Sequence, residues 1–217
     1  MTKPLRIEVA SDVICPWCYI GKRRLAKALA RLEGEVQAEL TWLPFQLNPS
    51  MPKDGMPRAE YRRAKFGSIE HGRTLDARVA REGADEGIAF AFERMERTPN
   101  TFAAHQLIDL AQRQEAQAAR QQGVGEAVVD ALFRAYFEEG RDIGDPAVLA
   151  GIAAARGVDR WPESADAERV ARHEDLVRGF GISGVPTFIF ERRSGLSGAY
   201  PPEQLAAAIR EAAQRAA

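Results

Sequence analysis

The chain has only two cysteines, Cys15 and Cys18, separated by Pro16 and Trp17. A thiol exchanges disulfides only as its thiolate, and a free cysteine with a pKa of ~8.5 is mostly protonated at neutral pH. A helix N-terminus lowers that value, because its unpaired backbone N–H groups and the helix dipole favour negative charge. A second thiol one turn further on can attack the mixed disulfide formed on the first and release the substrate. The spacing therefore points to Cys15 as an exposed, low-pKa nucleophile and Cys18 as a shielded resolving thiol. Pro16 suits the first helical position, where its missing N–H is not needed, and Trp17 is expected as a partly exposed apolar contact for substrate. Half of a zinc site is the competing chemistry. Only two cysteines are present and His71, His105 and His173 show no close ligand spacing, so no metal is expected. Two inert core thiols fit poorly with the junction the pair occupies.

That junction follows from the flanking patterns. Leu5, Ile7 and Val9 alternate with Arg6 and Glu8, the period of a half-buried strand with the charged residues outward. After Cys15 the period changes: Cys18, Gly21, Leu25, Ala28, Leu29 and Leu32 share a helical stripe that Gly34 ends. Val36 to Trp42 alternates again, so the first forty-odd residues read strand–helix–strand with the cysteines at the first strand-to-helix turn. Pro49, Pro52, Gly55 and Pro57 then mark a linker leaving the sheet. Helical spacing follows near Arg58–Phe66, Ile69–Glu82, Thr101–Arg120, Glu126–Glu138, Pro146–Arg156 and Asp166–Arg178, with Asn100, Asp145 and Ser164 as candidate caps. Ile88 to Phe92 reads as an extended piece or a loop under the helices. The Gln/Ala/Arg-rich run Arg113–Gln122 reads as a solvated helix face. Strand character returns at Thr187–Phe190, turns through Arg193-Ser194-Gly195 and continues over Leu196–Ala199. A last helix opens at Pro202 with Leu205, Ile209 and Ala213 inward. Trp42 and Phe45 are expected in the core, Lys22 on the surface. Asp12 is expected as a turn residue or a neighbour that raises the Cys15 pKa.

The 217 residues are 45% hydrophobic and 28% charged, a profile that supports an ordinary core without disulfide or metal staples. Thirty Lys and Arg against 31 Asp and Glu leave a net charge of -1, which argues against nucleic acid as a partner. No apolar stretch reaches membrane-spanning length, and the N-terminus carries no signal-peptide pattern. The expectation is a cytoplasmic protein, where a close cysteine pair is catalytic more often than structural.

Gly184-Val185-Pro186-Thr187 leads into the returning strand. With the cysteine pair in a thioredoxin-like fold, it is expected to hold a cis Val185–Pro186 bond beside the thiols and present the Val185 backbone to substrate. These segments carry a family resemblance. Ser11-Asp12-Val13-Ile14-Cys15-Pro16-Trp17-Cys18-Tyr19-Ile20-Gly21-Lys22 resembles the active-site segment of the FrnE branch of the DsbA-like family. Trp42 to Pro49, Pro99-Asn100-Thr101 with His105, Gly181 to Phe188 and Ser197-Gly198-Ala199 resemble it in order along nearly the whole chain. The resemblance implies an α/β thioredoxin-like fold (β-α-β, then β-β-α) with a large all-helical insertion. Residues 1–48 and 180–217 would form the thioredoxin-like domain and 49–179 the insertion. It also implies a redox-active Cys15/Cys18 pair exchanging disulfides with protein or small-molecule thiols, no cofactor beyond that disulfide, and glutathione as the candidate co-substrate. Pro16, Trp17, Val185 and Pro186 would bind substrate; His105 is a weaker candidate lining the cleft and reads more readily as a satisfied helical histidine. Hydroxychromene-carboxylate isomerases share the architecture but use glutathione and usually carry serine at the first cysteine position. A glutathione-dependent isomerase or transferase is therefore the alternative that the two cysteines disfavour. A homodimer is a further expectation, although no stripe in the sequence marks its interface.

Overall fold

The computed structural model describes residues 4–117 and 123–216. A four-stranded sheet is built from β1 (Leu5–Ser11), β2 (Ala38–Pro44), β5 (Thr187–Phe190) and β6 (Ser194–Ser197), in the order β2-β1-β5-β6. β1 runs parallel to β2 and antiparallel to β5, which pairs antiparallel with β6. The parallel step needs a crossover, and α1 (Pro16–Arg31) supplies it. Between β2 and β5 lie a short ribbon of β3 (Met56–Pro57) and β4 (Arg97–Thr98) and six helices: α2 (Arg58–Phe66), α3 (Ile69–Ala84), α4 (Phe102–Gln117), α5 (Val124–Phe137), α6 (Pro146–Ala155) and α7 (Ala167–Gly179). α8 (Pro202–Ala216) closes the described chain. This is a thioredoxin-like sheet interrupted by a helical insertion. The end of the expected helix to Arg120, and the last part of the run to Gln122, lie outside the described residues.

Ile7 and Val9 of β1 and Phe188 and Phe190 of β5 face a core shared with Leu25 of α1 and Leu205 and Ile209 of α8. Ala10, Leu43 and Ile189 turn to the opposite face and pack on Val177 of α7. Both faces of β1 are thus covered, and this overturns the alternation expected there. Glu8 is buried, its carboxylate accepting bonds from Arg192 Nε at 3.0 and 2.8 Å and from Nη2 at 2.6 Å. Arg192 sits in the β5–β6 turn, where Glu191 and Arg192 both have positive φ (51° and 55°). The turn therefore spans Glu191–Arg193, not Arg193–Gly195, and β6 begins at Ser194. The free edge of β2 is closed by Gln112 of α4. Its Oε1 accepts from Trp42 N at 2.7 Å and its Nε2 donates to Trp42 O at 3.1 Å, so the side-chain amide stands in for a fifth strand.

The insertion also changes the surroundings of α1. Tyr19 stacks on Phe133 of α5 (centroids 5.0 Å apart, 9° between planes), with Phe137 and Phe90 around it. Lys22, expected on the surface, is buried, its Nζ 3.2 Å from both Glu126 and Asp130 of α5. The stripe read from the sequence describes only the side of α1 that faces the sheet; α5 covers the other. Smaller corrections follow local chemistry. Asp166, not Ser164, caps α7 by accepting from Arg169 N at 2.8 Å. On α8 Ala212 turns inward and Ala213 is half-buried. The Ile88–Phe92 segment is a loop whose Ala91 N–H donates to Phe137 O, ending in a single 3-10 turn at Phe92–Arg94. Asn100 and Asp145 serve as expected, accepting from Phe102 N and Ala147 N, and Trp42 and Phe45 are buried. Among the described residues no helix is long and apolar enough to cross a membrane.

Removing the Phe133 ring leaves Tyr19 without its stacking partner and opens a cavity between α1 and the insertion. Phe133→Ala should lower unfolding stability by about 3–5 kcal/mol, measured by urea denaturation followed by circular dichroism.

Candidate active site

Cys15 is the N-cap of α1 (φ -92°, ψ 112°), with Pro16 at the first helical position and no acidic residue in the first turn. Its carbonyl accepts from Cys18 N at 3.0 Å and Tyr19 N at 3.3 Å, and its own N–H donates to Asp12 O at 3.0 Å. Cys15 thus sits at the helix N-terminus, its side chain making no capping hydrogen bond to the first turn. The thiol points across to the β5 side and donates to the Val185 carbonyl at 3.7 Å. Cys15 is only 6% exposed and Cys18 1%. The sequence expectation of an exposed Cys15 is therefore corrected: the thiol is buried against the loop through Val185. Both thiols are free. Burial, and then the neighbouring Cys15 thiol, push the Cys18 pKa well up, with the Asp12 N–H and the Ser11 hydroxyl working the other way.

The Val185–Pro186 bond is cis. Pro186 O accepts from Gly198 N at 2.8 Å, and the Thr187 hydroxyl donates to Gly184 O at 2.8 Å and sits 2.9 Å from Ser197 Oγ. On its other side Pro186 meets α1 at Gly21, where an added Cβ would lie 2.9 Å from the proline Cγ and 3.3 Å from the Phe188 ring. Gly21 is thus the residue that lets the helix carrying the thiols approach the Pro186 loop. The sequence offered one signal for it, a glycine inside a helical stripe, but not its partner.

The structure brings Cys15, Cys18, Val185 and Pro186 together, with Pro16 and Trp17 half-buried beside them. His105 is placed differently. It is buried in α4 with Nε2 3.5 Å from Asp12 Oδ1, so the ring faces the carboxylate rather than an open cleft. Asp12 is neither a simple turn residue nor turned toward Cys15, because its Oδ2 accepts from Leu47 N at 2.7 Å. Among the described residues no group of three or more His, Cys, Asp or Glu side chains is arranged to hold a metal ion.

A family model described as DSBA-like thioredoxin domain matches residues 6–210 of the chain. The chain belongs to this family. A fellow DsbA-type protein of known structure, a probable DsbA oxidoreductase, SCO1869, from Streptomyces coelicolor, is 32% identical, with 96% of this chain and 89% of that one covered and a TM-score of 0.83. The uncharacterized protein YwbO of Bacillus subtilis (strain 168) is 26% identical over 193 residues, 85% of this chain and 86% of that protein. The cytosolic disulfide reductase DsbM of Pseudomonas aeruginosa shares the fold at 21% identity and a TM-score of 0.62, covering 98% of this chain and 100% of that one. In this DSBA-like chain the two expected segments, Cys15–Cys18 and Val185–Pro186, meet at the end of the sheet where α1 begins.

Gly21→Ala should separate α1 from Pro186 and lower stability by about 1–3 kcal/mol, the usual result of overpacking, seen in chemical denaturation and accompanied by faster alkylation of Cys15 as the covering loop moves off it. The raised Cys18 pKa has its own consequence. Its folded-state thiol holds the proton more tightly than in the unfolded chain, so this contribution is intact below the unfolded cysteine pKa of about 8.5 and fades as pH rises above it. Between roughly pH 8.5 and 10 the reduced wild type should lose stability with pH more steeply than Cys18→Ala, as measured by guanidinium unfolding under reductant. Above that range Tyr19 and Tyr136, both raised to about 12 by burial, add to the loss.

Proposed function

We propose that this protein is a thiol–disulfide oxidoreductase and disulfide isomerase that acts on protein or small-molecule thiols and disulfides. One observation carries the reading: Cys15 caps α1 with its sulfur against the Val185 carbonyl, one turn from the buried, protonated Cys18. In the reductive direction the Cys15 thiolate attacks a substrate disulfide, forming a Cys15–substrate bond and expelling one substrate thiolate. Cys18 then attacks the Cys15 sulfur, the Cys15–Cys18 disulfide forms and the second substrate thiolate leaves. The enzyme loses two electrons and the substrate gains them; the reverse sequence oxidises a dithiol. The half-buried Pro16 and Trp17 and the Val185 backbone flank the reacting sulfur, so an extended chain laid along that loop places its own sulfur over Cys15.

Glutathione fits as co-substrate because two molecules of it can return the Cys15–Cys18 disulfide to the dithiol, leaving as glutathione disulfide. A cytoplasmic setting is part of the proposal, since both cysteines belong to the pair and none is left for a structural disulfide. The glutathione-dependent isomerase reading would need only one sulfur nucleophile and gives Cys18 no role.

Insulin reduction under dithiothreitol tests the proposal. Wild type should accelerate it, Cys15→Ser should fall to the uncatalysed rate, and Cys18→Ser should accumulate mixed disulfides visible by mass spectrometry. Wild type no faster than Cys15→Ser would refute the reading. Glutathione binding that survives loss of Cys18, with no dithiol turnover, would favour the isomerase instead.

A further inference from the structure

Beneath the cysteine pair, the end of β1 and helix α4 close around buried polar atoms that satisfy nothing. Ser11 Oγ, Asp12 Oδ1 and His105 Nε2 are all buried without a hydrogen-bond partner among the described residues. Asp12 is 0% and His105 4% exposed. Interiors rarely leave one such atom unpaired, and three together need a reason. Ser11, His105, Asp109 and His173 line one cavity of about 10 Å³; that is the lower limit for one water molecule. The Ser11 hydroxyl also lies near enough to the Cys18 sulfur to favour its thiolate, although it makes no full hydrogen bond to the resting thiol. Cys18 thus faces a chemical problem and has a polar neighbour leading away from it: the thiol must lose its proton to resolve a mixed disulfide, and no solvent reaches it.

We propose that His105, held by Asp12, accepts the Cys18 proton through the Ser11 hydroxyl during resolution of the mixed disulfide. The proposal rests on the dithiol reading above. In the step, the Cys18 S–H proton passes to Ser11 Oγ while Ser11 gives its own proton to His105 Nε2, directly or across one water in the cavity. The sulfur electron pair freed on Cys18 forms the bond to Cys15. The Cys15–substrate bond breaks, and its electrons leave on the substrate thiolate. The relay requires the tautomer protonated on Nδ1, in which Nε2 faces the Asp12 carboxylate at 3.5 Å and a proton delivered there converts that contact into a charge-assisted hydrogen bond. The imidazolium then returns its proton to solvent along the wall that ends at the half-buried His173.

The groups facing His105 are consistent with this role. The turn after β1 contributes Asp12, α4 contributes Asp109 one turn on, and α7 contributes His173. Asp109 is itself bonded by Arg113 and Arg169 at 2.8 Å each. β2 and α5 present only Trp42, Leu43, Pro44 and Val129. Asp12 is thus the carboxylate in contact with the ring.

The test separates the two sulfur steps. Reduced protein mixed with dithiobis-nitrobenzoate in a stopped-flow spectrometer releases one coloured thiolate when Cys15 attacks and a second when Cys18 resolves. His105→Gln should slow the second release about 100-fold, the scale of a lost general base, and leave the first within about twofold. Its second rate should climb with pH toward the ionisation of the Cys18 thiol, whereas the wild-type rate should depend less steeply on pH, because the relay and not solvent hydroxide takes the proton. Ser11→Ala, a smaller change, should slow the second release in the same sense. No slowing of the second release in either variant, or equal slowing of both releases, overturns the proposal. A wild-type protein that releases no second thiolate refutes the dithiol reading itself, a result distinguishable from failure of the relay alone.

Discussion

At Gly21 the absence of a side chain lets α1 run against Pro186, with room for nothing larger than hydrogen between them. The position of that helix relative to the loop fixes the remaining geometry. Cys15 and Cys18 ride on the first turn of α1, so holding the helix to the loop sets the Cys15 sulfur against the Val185 carbonyl. The loop cannot move away independently, because Gly198 N–H and the Thr187 hydroxyl fasten it to β6 and to its own start. Two segments separated by some 170 residues of chain thus become one surface, and the reactive sulfur lies in the seam.

The helical insertion acts on this seam from the other side. α5 stacks Phe133 on Tyr19 and sets Glu126 and Asp130 around Lys22, so the first turns of α1 are buried on both flanks. The two thiols sit differently: Cys15 is the N-cap residue with its thiol turned to the Val185 carbonyl, whereas Cys18, one turn in, is desolvated and kept as a thiol. α7 fastens the strand exit after β2, where Glu174 accepts from Gln46 N and Arg178 donates to Gln46 O. Leu47 in turn donates to Asp12, so the turn that presents Cys15 is tied to the insertion through two short links. The insertion therefore serves as a brace for the cysteine turn.

Much of this was legible in the residue pattern. Strand character at Leu5–Val9, the change to helical spacing after Cys15, and the pair itself locate the strand-to-helix junction. Local rules suffice there, because a strand, a proline at the first helical turn and a helix stop act over a few residues. The helices of the insertion were equally readable, α2 even to its ends. Misreadings cluster where a distant element covers a polar residue. Glu8 reads as solvent-facing until Arg192 folds over it, and Lys22 reads as surface until α5 brings two carboxylates. Ser164 reads as a cap, but several cap-forming residues stand together there and only the backbone geometry selects Asp166.

The chain by itself therefore determined the chemistry on offer: two thiols one helical turn apart, a strand to aim them, and a Val-Pro step that leads back to the same sheet. These are short-range properties of composition and spacing. Tertiary structure alone decided that Gly21 meets Pro186, that Cys15 is covered by the Val185 loop, and that Asp12 turns from the cysteines to Leu47 and His105. Each of these contacts joins residues far apart in sequence, and spacing carries no information about which distant face will pack. The contacts follow from closing both faces of one sheet around a common core, a condition satisfied only by the whole chain at once.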